Sequence, residues 1–196
     1  MILTEETFVP EGALPVDALK RHLRLGTGFD EDDVQDAVLA SFLRASLAAI
    51  EARTGKALIA RRFLLTLPAW SDPCAQALPL APVSEVISVT RIDRFGAATE
   101  LALTALRLEL DAHRPRLVAR SGLPALGEGG RAELRLVAGY AESFGDLPAD
   151  LAQAVLLLAA HYYEYRDETA LGQGCMPFGV TALLQRYRQV RMGFAS

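Results

Sequence analysis

Hydrophobic positions recur with a helical period at both ends of the chain and with a period of two in the middle. In residues 16–25, Leu19 and Leu23 fall four apart on one face, which predicts a short amphipathic helix. A second helix is predicted from the acidic run at 30–33 to about Thr54, because carboxylates favour the first turn of a helix. Gly55 follows as a residue suited to a left-handed helix end.

The middle of the chain has the alternation that is typical of strands. Residues 83–93, 106–110 and 131–137 alternate apolar and polar side chains, and prolines between 68 and 82 exclude a helix there. Phe95-Gly96 forms a predicted turn, after which residues 101–103 return as a partner strand. Residues 61–67 also look extended, and 117–119 are a shorter candidate strand. Together these patterns predict an antiparallel β subdomain of about five or six strands.

Helical periodicity returns towards the C-terminus. Residues 151–166 are apolar on nearly every face, which is typical of a helix covered by other helices or by another subunit. A short basic helix is predicted over residues 180–192, after a glycine-containing connection.

The predicted fold class is therefore α+β, with a helical bundle body (a long central helix and a buried C-terminal helix) and an inserted antiparallel β subdomain. Four parts are expected: an N-terminal helical part at 1–56, the β insertion at 57–140, a helical part at 141–172 that packs on the N-terminal helices, and a linker with a basic arm at 173–196.

Composition restricts the possible functions. The chain has 196 residues, of which 51% are hydrophobic, and its net charge is −4. A protein that grips duplex DNA usually carries a basic excess, so this balance argues against a dedicated DNA binder. The chain has no signal-peptide pattern and no apolar run long enough to span a bilayer. We expect a cytoplasmic protein at synthesis, with Cys74 and Cys175 as free thiols.

Candidate chemistry is sparse. His161 and Glu164 have a metal-ligand spacing, but the sequence offers no third ligand, and a packed or interface histidine is the simpler interpretation. The glycine-rich GEGG at 127–130 lacks the lysine and hydroxyl residues of a phosphate-binding loop. We therefore predict no catalytic residue, no metal and no cofactor. Trp70, the single tryptophan, is either a local core plug or an interface anchor.

The ordered set of segments resembles a known family. It comprises VDALKRHLRL at 16–25, FDEDD at 29–33, IEARTGKAL at 50–58, LPLAPVSEVISVTRID at 78–93, and VAGYAE followed by LPADLAQAVLLLAAHYYEYRD within 137–167. In this order the segments resemble the head–tail connector (adaptor) proteins of long-tailed bacteriophages and phage-like gene transfer agents.

The resemblance implies a structural role. Such proteins form a ring, typically of about twelve copies, between the portal at the capsid vertex and a downstream stopper or neck protein. The expected partners are thus copies of the chain itself, the portal, the next neck protein, and DNA that passes through without sequence-specific binding; no membrane is involved. The expected final location is the neck of the particle. The alternatives are another neck component, such as a stopper or tail terminator, a DNA-packaging accessory protein, and a small enzyme of unknown chemistry.

Two surfaces are predicted to carry the assembly. Copy-to-copy contacts in a ring join two different patches, which we expect on the second helix and on the helix at 151–166. The basic amphipathic segment at 179–196 is the candidate portal contact, and the alternative is a last helix packed on its own bundle. The ring-interface candidates are Phe42, Ala45, Ala49, Val155, Leu158 and Tyr162, and the portal-binding candidates are Leu183, Leu184, Arg186, Tyr187, Arg188, Val190 and Arg191.

Overall fold

The computed structural model describes residues 1–25, 32–166 and 176–188. These residues form four α-helices and eight β-strands. The chain divides into two compact units. The first comprises Met1–Phe8 and Ile59–Glu142, and the second comprises Val9–Leu58 and Ser143–Ser196.

A five-stranded antiparallel sheet is the main feature of the first unit. Its order is β1-β2-β8-β4-β5. The strands are β1 (Ile2–Glu5), β2 (Arg61–Leu67), β4 (Val83–Ile92), β5 (Ala98–Glu100) and β8 (Arg131–Ala138).

Side-chain alternation explains why these segments form a sheet with one covered face. Buried residues alternate with more exposed ones along β2 and β8, as expected of strands with one face against a core. Leu65 lies opposite Leu134, which in turn lies opposite Val89 on β4, and all three are fully buried. This row of apolar side chains sets the register of the three central strands, because a one-residue slip would expose it.

The second sheet has three strands in the order β3-β7-β6. They are β3 (Ala75–Ala77), β6 (Leu106–Glu109) and β7 (Arg116–Ala119). Leu117 is buried on one face, whereas the Glu109 carboxylate on the other face accepts hydrogen bonds from Arg107 and Arg116. These two hydrogen bonds, led by the one from Arg107, lower the pKa of Glu109 below its ordinary value.

Gly139 follows the last residue of β8, and its backbone there lies against the backbone of Ala60. Its φ is 150°, and a Cβ atom built there would lie 2.3 Å from both N and Cα of Ala60. The Gly139 N–H donates to the Pro82 carbonyl at 3.0 Å, and the Ala60 N–H donates to the Ala141 carbonyl at 2.7 Å. Only glycine allows this approach, so the residue has a physical reason to stand here.

The second unit holds the helices α1 (Val16–Leu23), α2 (Asp32–Thr54), α3 (Ala149–Glu164) and α4 (Phe178–Leu184). α3 packs against each of the other three helices. Its buried stripe includes Leu151, Val155 and Leu158, and α2 contributes Leu43 and Ile50 from its own buried face. This spacing of three and four residues is the helical pattern expected from the sequence.

The predicted end of α2 agrees with the structure. The helix stops at Thr54, and Gly55 follows with a φ of 68°. The Gly55 N–H donates to the Glu51 carbonyl at 2.8 Å, and the Glu51 side chain accepts the N–H of Leu58 at 2.8 Å. The acidic run before the helix lies largely outside the described residues.

The predicted fold class is wrong. The protein is not a helical bundle with a long central helix and an inserted β subdomain, because eight strands form two antiparallel sheets with a buried interior of their own. The β structure is also not confined to the middle of the sequence, since β1 pairs with β2 through Ile2 opposite Thr66 and its neighbours. All four residues of β1 are exposed, and its sequence ILTE shows no alternation of apolar and polar side chains. This strand could therefore not be predicted from the sequence.

Two element boundaries also differ from the prediction. The partner strand of the Phe95-Gly96 turn is β5, not residues 101–103, because the turn is tight and pairs Ile92 with Ala98. The last helix begins at Phe178 and ends at Leu184, and a short 3-10 turn, Gln185–Tyr187, follows it.

Candidate assembly surfaces

One face of α2 carries small exposed side chains, with the exposed Arg44 and Val38 at its two margins. At 100° per residue these positions lie within one narrow sector of the helix. They are Ala37, Ser41, Ala45, Ala48 and Ala52, all exposed.

The predicted ring-interface residues on α2 lie on or beside this face. Ala45 is exposed, while Phe42 and Ala49 are half-buried at its margin. The Phe42 ring meets Tyr163 of α3 edge-on, with centroids 6.2 Å apart and an interplanar angle of 89°. This edge-to-face contact holds Phe42 in place beside the exposed stripe.

The ring-interface candidates on α3 are placed differently. Val155 and Leu158 have 0% exposure, so their contacts are internal to the second unit. Tyr162 is half-buried, and burial raises the pKa of its phenol. An apolar helix sequence predicts burial but does not tell whether the covering surface belongs to the same chain or to another one.

A polar cluster fixes the C-terminal segment to the start of α3. The Tyr187 hydroxyl donates to Asp150 Oδ1 at 2.7 Å, and Arg186 Nε lies 2.9 Å from Asp150 Oδ2. Burial, followed by the hydrogen bond to the Asp150 carboxylate, raises the pKa of Tyr187. Val180 and Leu184 of the same segment are fully buried.

The portal-binding candidates therefore fall into three groups. Leu184 and Tyr187 are buried and act as anchors of the segment on its own unit. Leu183 is half-buried, and Arg186 and Arg188 are exposed. Val190 and Arg191 lie outside the described residues.

Trp70 lies at the margin of the first unit. It is half-buried, and its indole N–H donates to the Pro124 carbonyl at 2.8 Å. Its polar atom thus has a partner within the chain, as a buried local plug requires, while part of the ring faces outward.

Sequence reasoning missed four strongly exposed apolar side chains among the described residues. Phe178 at the start of α4 is 88% exposed, Phe95 at the β4–β5 turn 80%, Phe8 after β1 77%, and Leu110 after β6 75%. In the sequence Leu110 ends the alternating run at 106–110, whereas Phe95 and Phe178 each precede a glycine outside any periodic run.

Within the described ranges, no group of three or more His, Cys, Asp or Glu side chains is arranged to hold a metal ion. None of the described helices is both long and apolar enough to cross a membrane.

Chains from three solved particle structures match this protein over its whole length. One comes from the neck of an empty gene transfer agent particle computed with C6 symmetry, with 49% identity, a TM-score of 0.89, and coverage of 100% of this chain and 99% of that chain. One comes from the virion of a native gene transfer agent particle, with 48% identity, a TM-score of 0.85 and the same coverage.

The third comes from the neck of a native gene transfer agent particle computed with C12 symmetry. It has 45% identity, a TM-score of 0.84, and coverage of 100% of this chain and 99% of that chain. The chain belongs to the gene transfer agent neck proteins. No family model and no curated protein matches the sequence.

Membership of these neck proteins confirms the resemblance predicted from the ordered segments. It also confirms the predicted location in the neck of a phage-like particle and indicates a structural role. The exposed face of α2, the exposed side of the C-terminal segment and the exposed aromatic side chains are thus candidate contacts of a neck protein.

Proposed function

We propose that this neck protein is the head–tail adaptor: a ring that joins the portal to the downstream neck protein and lets DNA pass through its channel. The observation that carries the proposal is the full-length match to chains of particle necks computed with C6 and C12 symmetry. A ring of about twelve copies is compatible with both symmetries, since twelve is a multiple of six.

The exposed face of α2 supports a ring. Neighbours in a ring contact each other through two different patches, and small side chains allow close approach of a partner. Ala45 lies within the exposed stripe, and Phe42, Ala49 and Tyr162 are half-buried. These four residues are the ring-interface candidates that remain accessible, whereas Val155 and Leu158 support the subunit from within.

The portal contact is proposed for the exposed side of the C-terminal segment. Phe178 offers an apolar group and Arg188 a charge, while Tyr187 holds the segment through Asp150. A pre-ordered segment loses less conformational entropy on binding than a free tail does. Leu183, a half-buried residue of the same segment, is the third member of the proposed contact.

Electron microscopy of particle necks tests the adaptor assignment directly. We expect a ring of this chain in contact with the portal. A ring separated from the portal by another protein would indicate a stopper or terminator. Absence from the neck, together with a steep salt-dependent affinity for duplex DNA, would indicate a packaging accessory.

A point substitution tests the α2 surface. Ala45→Arg places a long charged side chain on an exposed position, so the subunit should fold normally but fail to enter the ring. Ala125→Arg, at an exposed position of the first unit, is the matched control and should be incorporated normally. Normal incorporation of both variants would show that this face of α2 does not lie in the ring interface.

The portal contact needs point variants, because deleting residues 179–196 would also remove the buried Val180 and Leu184. Phe178→Ser with Arg188→Glu should reduce portal binding and leave the thermal unfolding of the chain unchanged. Leu110→Ser with Arg114→Glu, an exposed apolar and basic pair in the first unit, is the control. Equal portal binding by both double variants would contradict the proposed contact.

A further inference from the structure

The five-stranded sheet of the first unit has two open edges. Its order places β1 at one side and β5 at the other, and within the described part of the chain no strand pairs with the outer side of either one. Every residue of both strands is exposed. Edge strands that stay single usually carry lysine or proline, and the sequences ILTE and ATE contain neither.

The free backbone groups of β1 follow from its ladder with β2. The N–H of Glu6 donates to the Arg62 carbonyl at 2.9 Å, and hydrogen-bonded positions alternate along an antiparallel pair. The even-numbered residues of β1 therefore face β2, whereas Leu3 and Glu5 direct their N–H and C=O groups outward.

The free backbone groups of β5 follow in the same way from its ladder with β4. The N–H of Leu101 donates to the Val89 carbonyl at 2.8 Å, so the odd-numbered residues of β5 face β4. Ala98 and Glu100 direct their N–H and C=O groups outward. Each edge thus offers two residues with unpaired backbone groups, spaced two apart.

The two edges run in the same direction. Neighbouring strands of this sheet are all antiparallel, so the first and the fifth strand point the same way. Neighbours in a ring of twelve differ by a rotation of about 30°, which changes the strand direction little. A contact between the β5 edge of one copy and the β1 edge of the next would therefore be a parallel strand pair.

The side-chain faces agree with such a pair. Leu3 lies opposite the buried Leu65, and Thr99 reaches the buried Ala132 across β4, so both point to the covered face of the sheet. Residues opposite each other in a ladder have side chains on the same face. Placing Leu3 opposite Thr99 satisfies this condition.

This register also separates like charges. Ile2, which is 65% exposed, would lie beside Ala98, whose small side chain leaves room for it. A shift of β1 by two residues would place Glu6 opposite Glu100, and like charges directly opposite each other destabilise a strand pair. A shift in the other direction would carry most of β1 past the end of β5.

We propose that the β5 edge of one copy pairs with the β1 edge of the next, so that the five-stranded sheets continue around the ring. The Leu3 N–H would donate to the Ala98 carbonyl of the neighbouring copy, and the Leu3 carbonyl would accept the neighbour's Glu100 N–H. The pairing joins two different edges, which is the heterologous contact that closes a ring, and main-chain hydrogen bonds supply its affinity. The inference rests on the proposed ring.

A proline on the β5 edge tests the backbone pairing. Particles come from cells in which a variant replaces the wild-type chain, and the amount of this chain per neck is measured relative to a capsid protein. Glu100→Pro removes an outward N–H and should reduce incorporation about tenfold, because one hydrogen bond is lost and its carbonyl acceptor stays unpaired. Glu100→Ala keeps the N–H and should be incorporated normally. The urea midpoints of the two variants should agree, since an outward-facing proline leaves the β4–β5 ladder intact.

Cysteine cross-linking identifies the partner strand independently. Ile2→Cys and Ala98→Cys are combined in a chain whose Cys74 and Cys175 are replaced by serine. In one copy the two positions lie four strand spacings apart, about 19 Å, which no disulfide spans. Oxidised particles should therefore give a ladder of linked copies on a non-reducing gel, whereas each single-cysteine variant should give no linked species.

Each outcome decides the proposal. The ladder together with reduced incorporation of Glu100→Pro supports it. Equal incorporation of the proline and alanine variants overturns it, and so does a missing ladder. Dimers of the Ile2→Cys variant alone would show pairing of β1 with β1, and a link to another neck protein would show a different occupant; both overturn it.

The adaptor function is tested separately from the edge pairing. A ring of wild-type copies at the portal combined with a missing ladder leaves the adaptor function intact and rejects only the continuous sheet. If the wild-type chain forms no ring at the portal, the proposed adaptor function itself fails, which is a distinct result.

Discussion

Replacing Gly139 by alanine tests how closely the end of β8 approaches the preceding part of the first unit. The added Cβ would lie 2.3 Å from N and Cα of Ala60 and 2.7 Å from the carbonyl carbon of Ile59. All three are backbone atoms, so no side chain can rotate away. The backbone on one side must move.

The cost has three sources. Overpacking of a rigid site costs about 1–3 kcal/mol. A shift of the backbone also weakens the hydrogen bonds from Gly139 to Pro82 and from Ala60 to Ala141, each of which contributes about 1 kcal/mol to stability. The φ of 150° adds about 1 kcal/mol of strain for an L-residue. We therefore expect Gly139→Ala to lower the free energy of unfolding by about 4 kcal/mol.

Urea denaturation followed by the fluorescence of Trp70 measures this loss, because the single tryptophan lies in the same unit as Gly139. Gly127→Ala is the control for strain alone, since Gly127 has a φ of 72° and nothing within 4 Å of a built Cβ. It should cost only about 1 kcal/mol. An equal loss in the two variants would refute the close approach as the reason for glycine at 139.

Three further predictions concern ionisable groups. Tyr187→Phe removes the hydrogen bond to Asp150 and should lower the protection of α4 amides in hydrogen exchange by about 1–2 kcal/mol. Because the pKa of Tyr187 is raised, its contribution is present below the ordinary value of 10.0 and lost as the pH rises above it; alkaline urea melts of Tyr187→Phe should therefore show a smaller pH dependence. The pKa of Glu109 is lowered, so carbon-detected NMR titration should place it below 4.5, and Arg116→Gln should raise it even though the Arg107 contact remains.

Periodicity predicted those elements whose burial pattern is regular. The end of α2 at Thr54 and the strands β4, β6 and β8 follow from apolar side chains at helical or alternating spacing and from Gly55. β1 and β3 were missed, because β1 is exposed at every position and β3 has only three residues. Both are held by cross-strand pairing with distant segments, which no local window of sequence contains.

The prediction of the fold class was wrong for a related reason. A pattern of helices around a strand-rich middle is compatible with a β insert in a helical bundle and with a β unit that has a core of its own. The deciding contact is the pairing of Leu3 with Leu65, which brings the first residues of the chain into the sheet. Because Leu3 and Leu65 are far apart in the sequence, no local stretch of residues predicts that they pair.

The ring-interface residues predicted on α3 also show what local sequence patterns cannot decide. Hydrophobicity suggested Val155 and Leu158 as ring contacts, yet both are fully covered by the subunit itself. Half of the exposed positions described on α2 are alanine, and the β4–β5 turn exposes a single phenylalanine beside an arginine. A subunit that folds before it assembles must stay soluble. Its contact surfaces are therefore expected to carry small residues and isolated apolar side chains, whereas continuous apolar stripes are buried in its interior.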